Sequence, residues 1–168
     1  MTIDSSSFVG HMAWANQAIF ARVATAPDVA LSAYMTNPEW TAGHILRHIV
    51  DGAEWFVYCL GVKPWDDVTA PVAMSDVPVL ARRLEGLDRR ILAESHKDDE
   101  RIDIAMEQGV KTVWRSTLIA QAVHHATEHR AQLVDALESG GHLVVNLDDF
   151  DVWAYAAVQS EGRAGGGQ

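Results

Sequence analysis

His125 and His129 stand one helical turn apart in the run His124-His125-Ala126-Thr127-Glu128-His129-Arg130-Ala131-Gln132-Leu133, at positions where a core-facing helix would carry leucine. Residues Leu118, Ala122, His125, His129, Leu133 and Ala136 recur at helical spacing, so an apolar stripe passes through both imidazoles. Neutral imidazole is the commonest metal-binding side chain, and i, i+4 spacing aims two rings at one point. A second stripe carries His44, His48, Asp51 and Trp55. One histidine of that stripe, with His125 and His129, would supply three nitrogens from two helices and leave a coordination position free. That is the arrangement of a catalytic rather than a structural zinc site. Two hydrogen-bonded core imidazoles are the plainer alternative for such a pair on an apolar face.

His44, one turn before His48, is either an alternative ligand or a hydrogen-bonding partner beside the site. Asp51 could accept a ring N–H or hold a bound water, or be an ordinary solvated carboxylate. His124 points ~100° away from His125 on the helix and suits a pocket rim. His11, His96 and His142 lie in polar or terminal surroundings and carry no expected ligand role. Glu128 completes an HxxEH pattern, the inverted zincin motif, but 23 acidic residues in 168 would place one there by chance about one time in seven. The stripe also turns Glu128 away from the two histidines. Cys59 is the single cysteine, so there is no disulfide framework and no zinc ribbon, and its apolar helical setting argues against a nucleophile. No phosphate-binding glycine loop and no nucleophile elbow occurs.

The elements that must position this chemistry are helices. Ser5-Ser6-Ser7 offers an N-cap for a first helix with Phe8, Met12, Ala15, Ile19, Val23 and Ala26 inward, stopped by Pro27. A second runs from Trp40 to about Leu60, ended by Gly61, with Leu46, Ile49, Val50, Ala53, Val57 and Leu60 inward and Arg47 and Glu54 as its wettest positions. A Pro-rich loop follows, and Asp76 and Pro78 open a third helix with Leu80, Leu84, Leu87 and Ile91 in its seam. Its Arg82-Arg83 and Arg89-Arg90 read as a solvated face balanced by Glu85 and Asp88. Alternation at Ile102, Ile104 and Met106, a turn at Gln108-Gly109 and the stretch Val110–Trp114 predict a short hairpin. Ser116 is expected to cap the helix carrying the histidine pair, which Gly140-Gly141 ends, and Asp148 to cap a last helix with Phe150, Trp153, Ala154 and Ala157 on one face. Residues 1–160 form one expected domain and 161–168 a flexible glycine-rich tail.

Composition narrows the function classes. The chain is 48% hydrophobic and 21% charged, enough for a packed core without disulfides. A formal net charge of -10 argues against nucleic-acid binding, which needs clustered Lys and Arg. The six tryptophans read as core and pocket wall rather than as a platform for bases. No leader and no membrane-spanning run is evident, and the lone cysteine fits a reducing cytosol, so a cytoplasmic protein is expected.

The pattern His48-Ile-Val-Asp51-Gly-Ala-Glu54-Trp55, the later His125-xxx-His129-Arg130-Ala-Gln132-Leu133, the hairpin-like interlude and the closing Gly141…Leu147-Asp148…Trp153-Ala-Tyr155 together resemble the DinB/YfiT-like metalloenzyme superfamily, over roughly residues 8 to 158. Where that family usually has Gly between the Arg and the Gln, this chain has Ala131. The resemblance implies an all-α fold: a four-helix bundle in up-up-down-down order, with a short hairpin-like insertion before the last bundle helix and a short C-terminal helix. It places the metal triad on His48, His125 and His129, with Asp51 and His44 at most beside it. It implies a divalent ion, zinc or nickel, a homodimer, and a small-molecule substrate. Relatives of that superfamily use a low-molecular-weight thiol, so the resemblance makes a thiol-dependent S-transferase the leading expectation. Hydrolysis of a small substrate by a metal-activated water, and a non-catalytic metal- or ligand-binding bundle of the stress response, are the alternatives.

Overall fold

In the computed structural model the described residues are 5–165, with side chains described through 161. The chain is mostly helical: α1 Ser6–Val23, α2 Ala42–Cys59, α3 Val77–Ser95, α4 Arg115–Ser139 and α5 Val152–Gly165. Between α3 and α4 a two-stranded antiparallel sheet is formed by β1 Arg101–Met106 and β2 Gly109–Trp114. Short 3-10 turns at Asp28–Ser32, Met74–Asp76 and Leu147–Phe150 fill the connections. The four long helices touch in a ring, α1 against α3, α3 against α2, α2 against α4 and α4 back to α1. Met12, Ile19, Phe20, Ile45, Leu46, Ile49, Leu84, Ile91, Leu133 and Leu137 fill the space they enclose.

The residues of α2 and α3 that the periodicity turns inward are all buried, and Ile45, Phe56 and Val77 join them. Elsewhere the structure corrects the reading. In α1 Phe8 is half exposed and Val9 takes the inward place, because α4 and α3 cover a stripe that passes through Val9, Met12, Asn16 and Phe20. Ser5 gives no side-chain cap; its hydroxyl donates to the carbonyl of Ser95 at the far end of α3. Helix α2 begins after Thr41, whose hydroxyl accepts the N–H of His44, and Trp40 lies outside it. Glu54 is not wet but 2% exposed, held by Arg83 of α3 and by Lys63. With α3 on one side of α2 and α4 on the other, little of its circumference is left for solvent. Asp88 is likewise buried rather than part of a solvated face, whereas Glu85 does pair with Arg89 on the surface.

The hairpin turn is Glu107-Gln108, since Met106 pairs with Gly109. Gly109 already belongs to β2 with φ +120°, a backbone conformation that L side chains rarely adopt. Ile104 plugs the core, so the sheet covers one end of it. Ser116 is not the cap of α4. That helix starts at Arg115, and the Asp99 carboxylate from the preceding loop accepts both the backbone N–H and the hydroxyl of Ser116. Asp151, not Asp148, accepts from the first turn of α5, at the N–H of Ala154. Trp153 is 84% exposed; Tyr155 instead packs α5 onto Trp14 and His11. Helix α5 runs to Gly165, into the segment whose composition suggests a tail, and 166–168 lie outside the described residues. No helix among the described residues is long and apolar enough to cross a membrane.

Candidate metal centre

Helices α2 and α4 lie side by side, and their contact is where the two histidine stripes meet. One ligand atom each from His48, His125 and His129 lies within 4.8 Å of the other two. The rings stack edge to face, His48 to His129 at 4.5 Å and His125 to His129 at 4.3 Å between centroids. Nε2 of His125 is 3.1 Å from Nε2 of His48. Two imidazole nitrogens sharing a tetrahedral ion at ~2.0–2.1 Å stand about 3.3 Å apart, so the pair is spaced for a common ligand as well as for an N–H···N bond.

This approach depends on Gly52. A Cβ built there would come within 2.2 Å of His125 Cε1, so α2 makes room for the ring by carrying no side chain at that turn. Phe56, one turn further on, meets the same ring edge-on. Burial, with the neighbouring His129 and His48, pushes the His125 imidazole down to about 4, and burial also lowers His48. Both rings are therefore neutral at physiological pH, the state in which an imidazole can bind a metal.

The tautomer of His129 follows from its surroundings. The Trp40 indole N–H can only donate, so the Gln132 atom 2.9 Å from it is the carbonyl oxygen. The same oxygen lies 2.9 Å from Nδ1 of His129, which must then carry a proton. Nε2 of His129 is left with its lone pair free for the cluster, as a ligand requires. The Trp40 ring itself packs against His44, His48 and His129 and walls one side of the site. Neither Trp40 nor the role of Gln132 was evident from periodicity; Trp40 precedes the helix, and Gln132 matters through a partner 92 residues away.

The remaining candidates separate clearly. His44 stacks on Trp40 one turn from the triad and is not one of the three clustered residues. Asp51 faces Arg47 at 3.6 Å, close enough to His48 for its charge to favour the imidazolium, yet outside the cluster. Glu128 and His124 are exposed, and His124 lines a separate cleft of about 510 Å³ with Phe8, Ile119 and Val123. His11 bonds the carbonyl of Phe150 and pins the closing segment to α1. Burial pushes the Cys59 thiol up to about 11, so it is no nucleophile.

Behind the histidines lies a buried polar chain that the sequence did not announce. Arg130, the residue after His129, donates from Nη1 to Asn16 Oδ1 at 2.7 Å, and Asn16 Nδ2 donates to Asp88 Oδ2 at 3.0 Å. All three side chains are at most 4% exposed. Burial raises Asp88 to about 7 and lowers Arg130 to about 10, which stays charged. The Arg of the His-xxx-His-Arg motif thus faces the core while its histidines face α2. The donor set fits a divalent ion: three imidazoles, one with its Nδ1 engaged by Gln132 and one with space cleared for it by a glycine.

No curated protein and no solved structure matches the chain. The sequence model of the DinB family matches residues 1–161, and the chain belongs to the DinB family.

Proposed function

We propose that this DinB-family protein is a metal-dependent enzyme in which His48, His125 and His129 hold one divalent ion, zinc or nickel, and a low-molecular-weight thiol is the co-substrate of a transfer to a small electrophile. The observation that carries the reading is the convergence of the three imidazoles with His129 held as the Nδ1–H tautomer by Gln132. A structural site closes its coordination with a fourth protein ligand. Here Asp51 is engaged by Arg47, and the cluster among the described residues has three members. A divalent ion held there would supply Lewis acidity, which lowers the pKa of a thiol or water bound to it.

The chain's own contribution is positional. Trp40 excludes water from one side, Gln132 orients His129, and Gly52 admits His125 to the cluster. The ring of helix contacts supports the up-up-down-down order as part of the same proposal. A homodimer acting on small molecules in the cytoplasm completes it, and light scattering that gives a concentration-independent monomer would remove the dimer.

Elemental analysis of untagged protein, followed by assay of thiols with electrophilic acceptors, tests the function. One equivalent of metal is expected in the parent, and a sharp loss on replacing His48, His125 or His129 by Ala, while His11→Ala, His96→Ala and His142→Ala keep it. Metal retained by His48→Ala and lost by His44→Ala would move the ligand on α2 one turn. Retention in all four would reduce the histidines to hydrogen-bonded core residues. Product formed without thiol would replace transfer by hydrolysis, and metal without turnover of either kind would leave a binding protein.

A further inference from the structure

His125 has one nitrogen accounted for and one not. Nε2 faces His48, and no hydrogen bond of Nδ1 is seen among the described residues. An imidazole that binds a metal through one nitrogen ordinarily donates the other N–H to a carboxylate, a carbonyl or a water. His125 lines a cavity of about 10 Å³ between the four long helices, and Asn16 and Asp88 line it too, with Ala53, Phe56 and Ala126. That volume suits one water. Asp88 uses Oδ2 for Asn16, while its Oδ1 is buried without a partner. The cavity therefore has a ring able to donate at one wall and a carboxylate oxygen without a donor at another.

We propose that Asp88 is a positioning residue for His125: one water in this cavity accepts the Nδ1–H of His125 and donates to Asp88 Oδ1, so that His125 turns the lone pair of Nε2 toward the cluster. The ring is then anchored from the core as His129 is anchored from the surface by Gln132. Asn16 fixes which Asp88 oxygen is free, and Arg130 fixes Asn16, because a guanidinium only donates and so selects the amide oxygen. The link itself needs no ion; its consequence for metal binding rests on the triad reading above.

Two variants and two readouts test it. Asp88→Leu keeps volume and removes the acceptor, and Ala53→Val fills the cavity from α2 while leaving every polar group in place. In the metal-free protein well above pH 7, where Asp88 is ionised, long-range nitrogen–proton NMR should show the Nδ1–H tautomer of His125 in the parent and a shift toward Nε2–H in both variants. Titration with Co²⁺ should show affinity falling about 10- to 100-fold in both. If Asp88→Leu does not fold, Ala53→Val carries the test alone. A lowered melting temperature in Asp88→Leu with tautomer and affinity unchanged would make Asp88 a structural residue only and overturn the proposal. A change in Asp88→Leu with Ala53→Val silent would overturn the water link. A parent that binds no Co²⁺ would sink the metal site, yet the tautomer comparison would still decide whether Asp88 holds His125.

Discussion

Gln132 and Asn16 are both carboxamides set between a group that can only donate and a second polar partner, one on the outer side of the histidine cluster and one in the core behind it. Gln132 is exposed and takes the indole N–H of Trp40 and Nδ1 of His129 on one oxygen. Asn16 is 1% exposed and passes from Arg130 on its oxygen to Asp88 on its nitrogen. In both, the donor-only neighbour fixes which way the amide faces. The difference is solvent. Water can replace whatever Gln132 loses, so its work shows in the geometry of one ring. Bulk water cannot readily reach Asn16, so an unpaired atom there costs folding free energy, about 1–3 kcal/mol for a neutral group and more for a charge. The outer contacts should therefore govern binding and the inner ones stability.

The largest effect is expected at Arg130→Met, which keeps much of the volume and leaves Asn16 and Asp88 without their cation. Loss of one member of a buried charge network costs about 3–5 kcal/mol, and here the partial neutralisation of Asp88 should bring it to the lower end. Denaturant unfolding of the metal-free protein measures it. A loss below about 1 kcal/mol would mean the inner chain is no more costly to break than the outer one.

Next in size is a pH effect with opposite signs on the two sides of the cavity. His125, pushed down to about 4, stays neutral in the folded chain where an unfolded one takes up a proton below 6.5, so its contribution makes stability rise with pH between 4 and 6.5. Asp88, pushed up to about 7, keeps a proton in the folded chain that the unfolded one releases above 3.8, so its contribution makes stability fall with pH between 3.8 and 7. In the metal-free parent the two oppose each other. Asp88→Asn should steepen the rise between pH 4 and 6.5 relative to the parent, and His125→Ala should tilt it downward. The two variants should diverge by more than about 3 kcal/mol across the window, with the His125 share discounted for the partial exposure of the ring. Parallel curves would show that the cavity does not hold either group away from its ordinary titration.

Gly52→Ala comes third. Inside a helix this change favours folding by up to about 1 kcal/mol, but the new methyl occupies the space of His125 Cε1. The ring can swing away, so a melting temperature equal to or above the parent is expected together with at least about tenfold weaker metal binding by titration. Unchanged binding would show that the close approach of α2 to His125 is dispensable.

Trp40→Phe is the smallest. It keeps a ring against His48 and His129 and removes only the indole N–H, so Gln132 can rotate and His129 is free to exchange tautomers. Metal affinity should fall a few-fold, with stability within about 0.5 kcal/mol of the parent beyond the effect of the smaller ring. A stability loss comparable to Arg130→Met would erase the distinction between the two carboxamides.

Helix periodicity gave His125 and His129 as neighbours on one face because i, i+4 geometry is local, and it gave the inward residues of α2 and α3 for the same reason. The motif resemblance led to His48 as the third member, and all three converge. Local pattern also marked the hairpin and the glycine end of α4. It misassigned Glu54 and Asp88, since a charged residue on a helix reads as solvated until another helix is known to cover it. Each is neutralised or bonded by residues dozens of positions away, Arg83 for Glu54 and Asn16 for Asp88. Trp153 misled in the other direction, an aromatic at helical spacing that the tertiary packing leaves in water. What the chain fixed by itself was therefore the set of possible ligands and the faces that carry them. Only the packing of α2 on α4 decided that three rings meet over Gly52, that Trp40 and Gln132 hold one of them from outside, and that a charged chain through Asn16 lies behind another, because those contacts join residues that no local period connects.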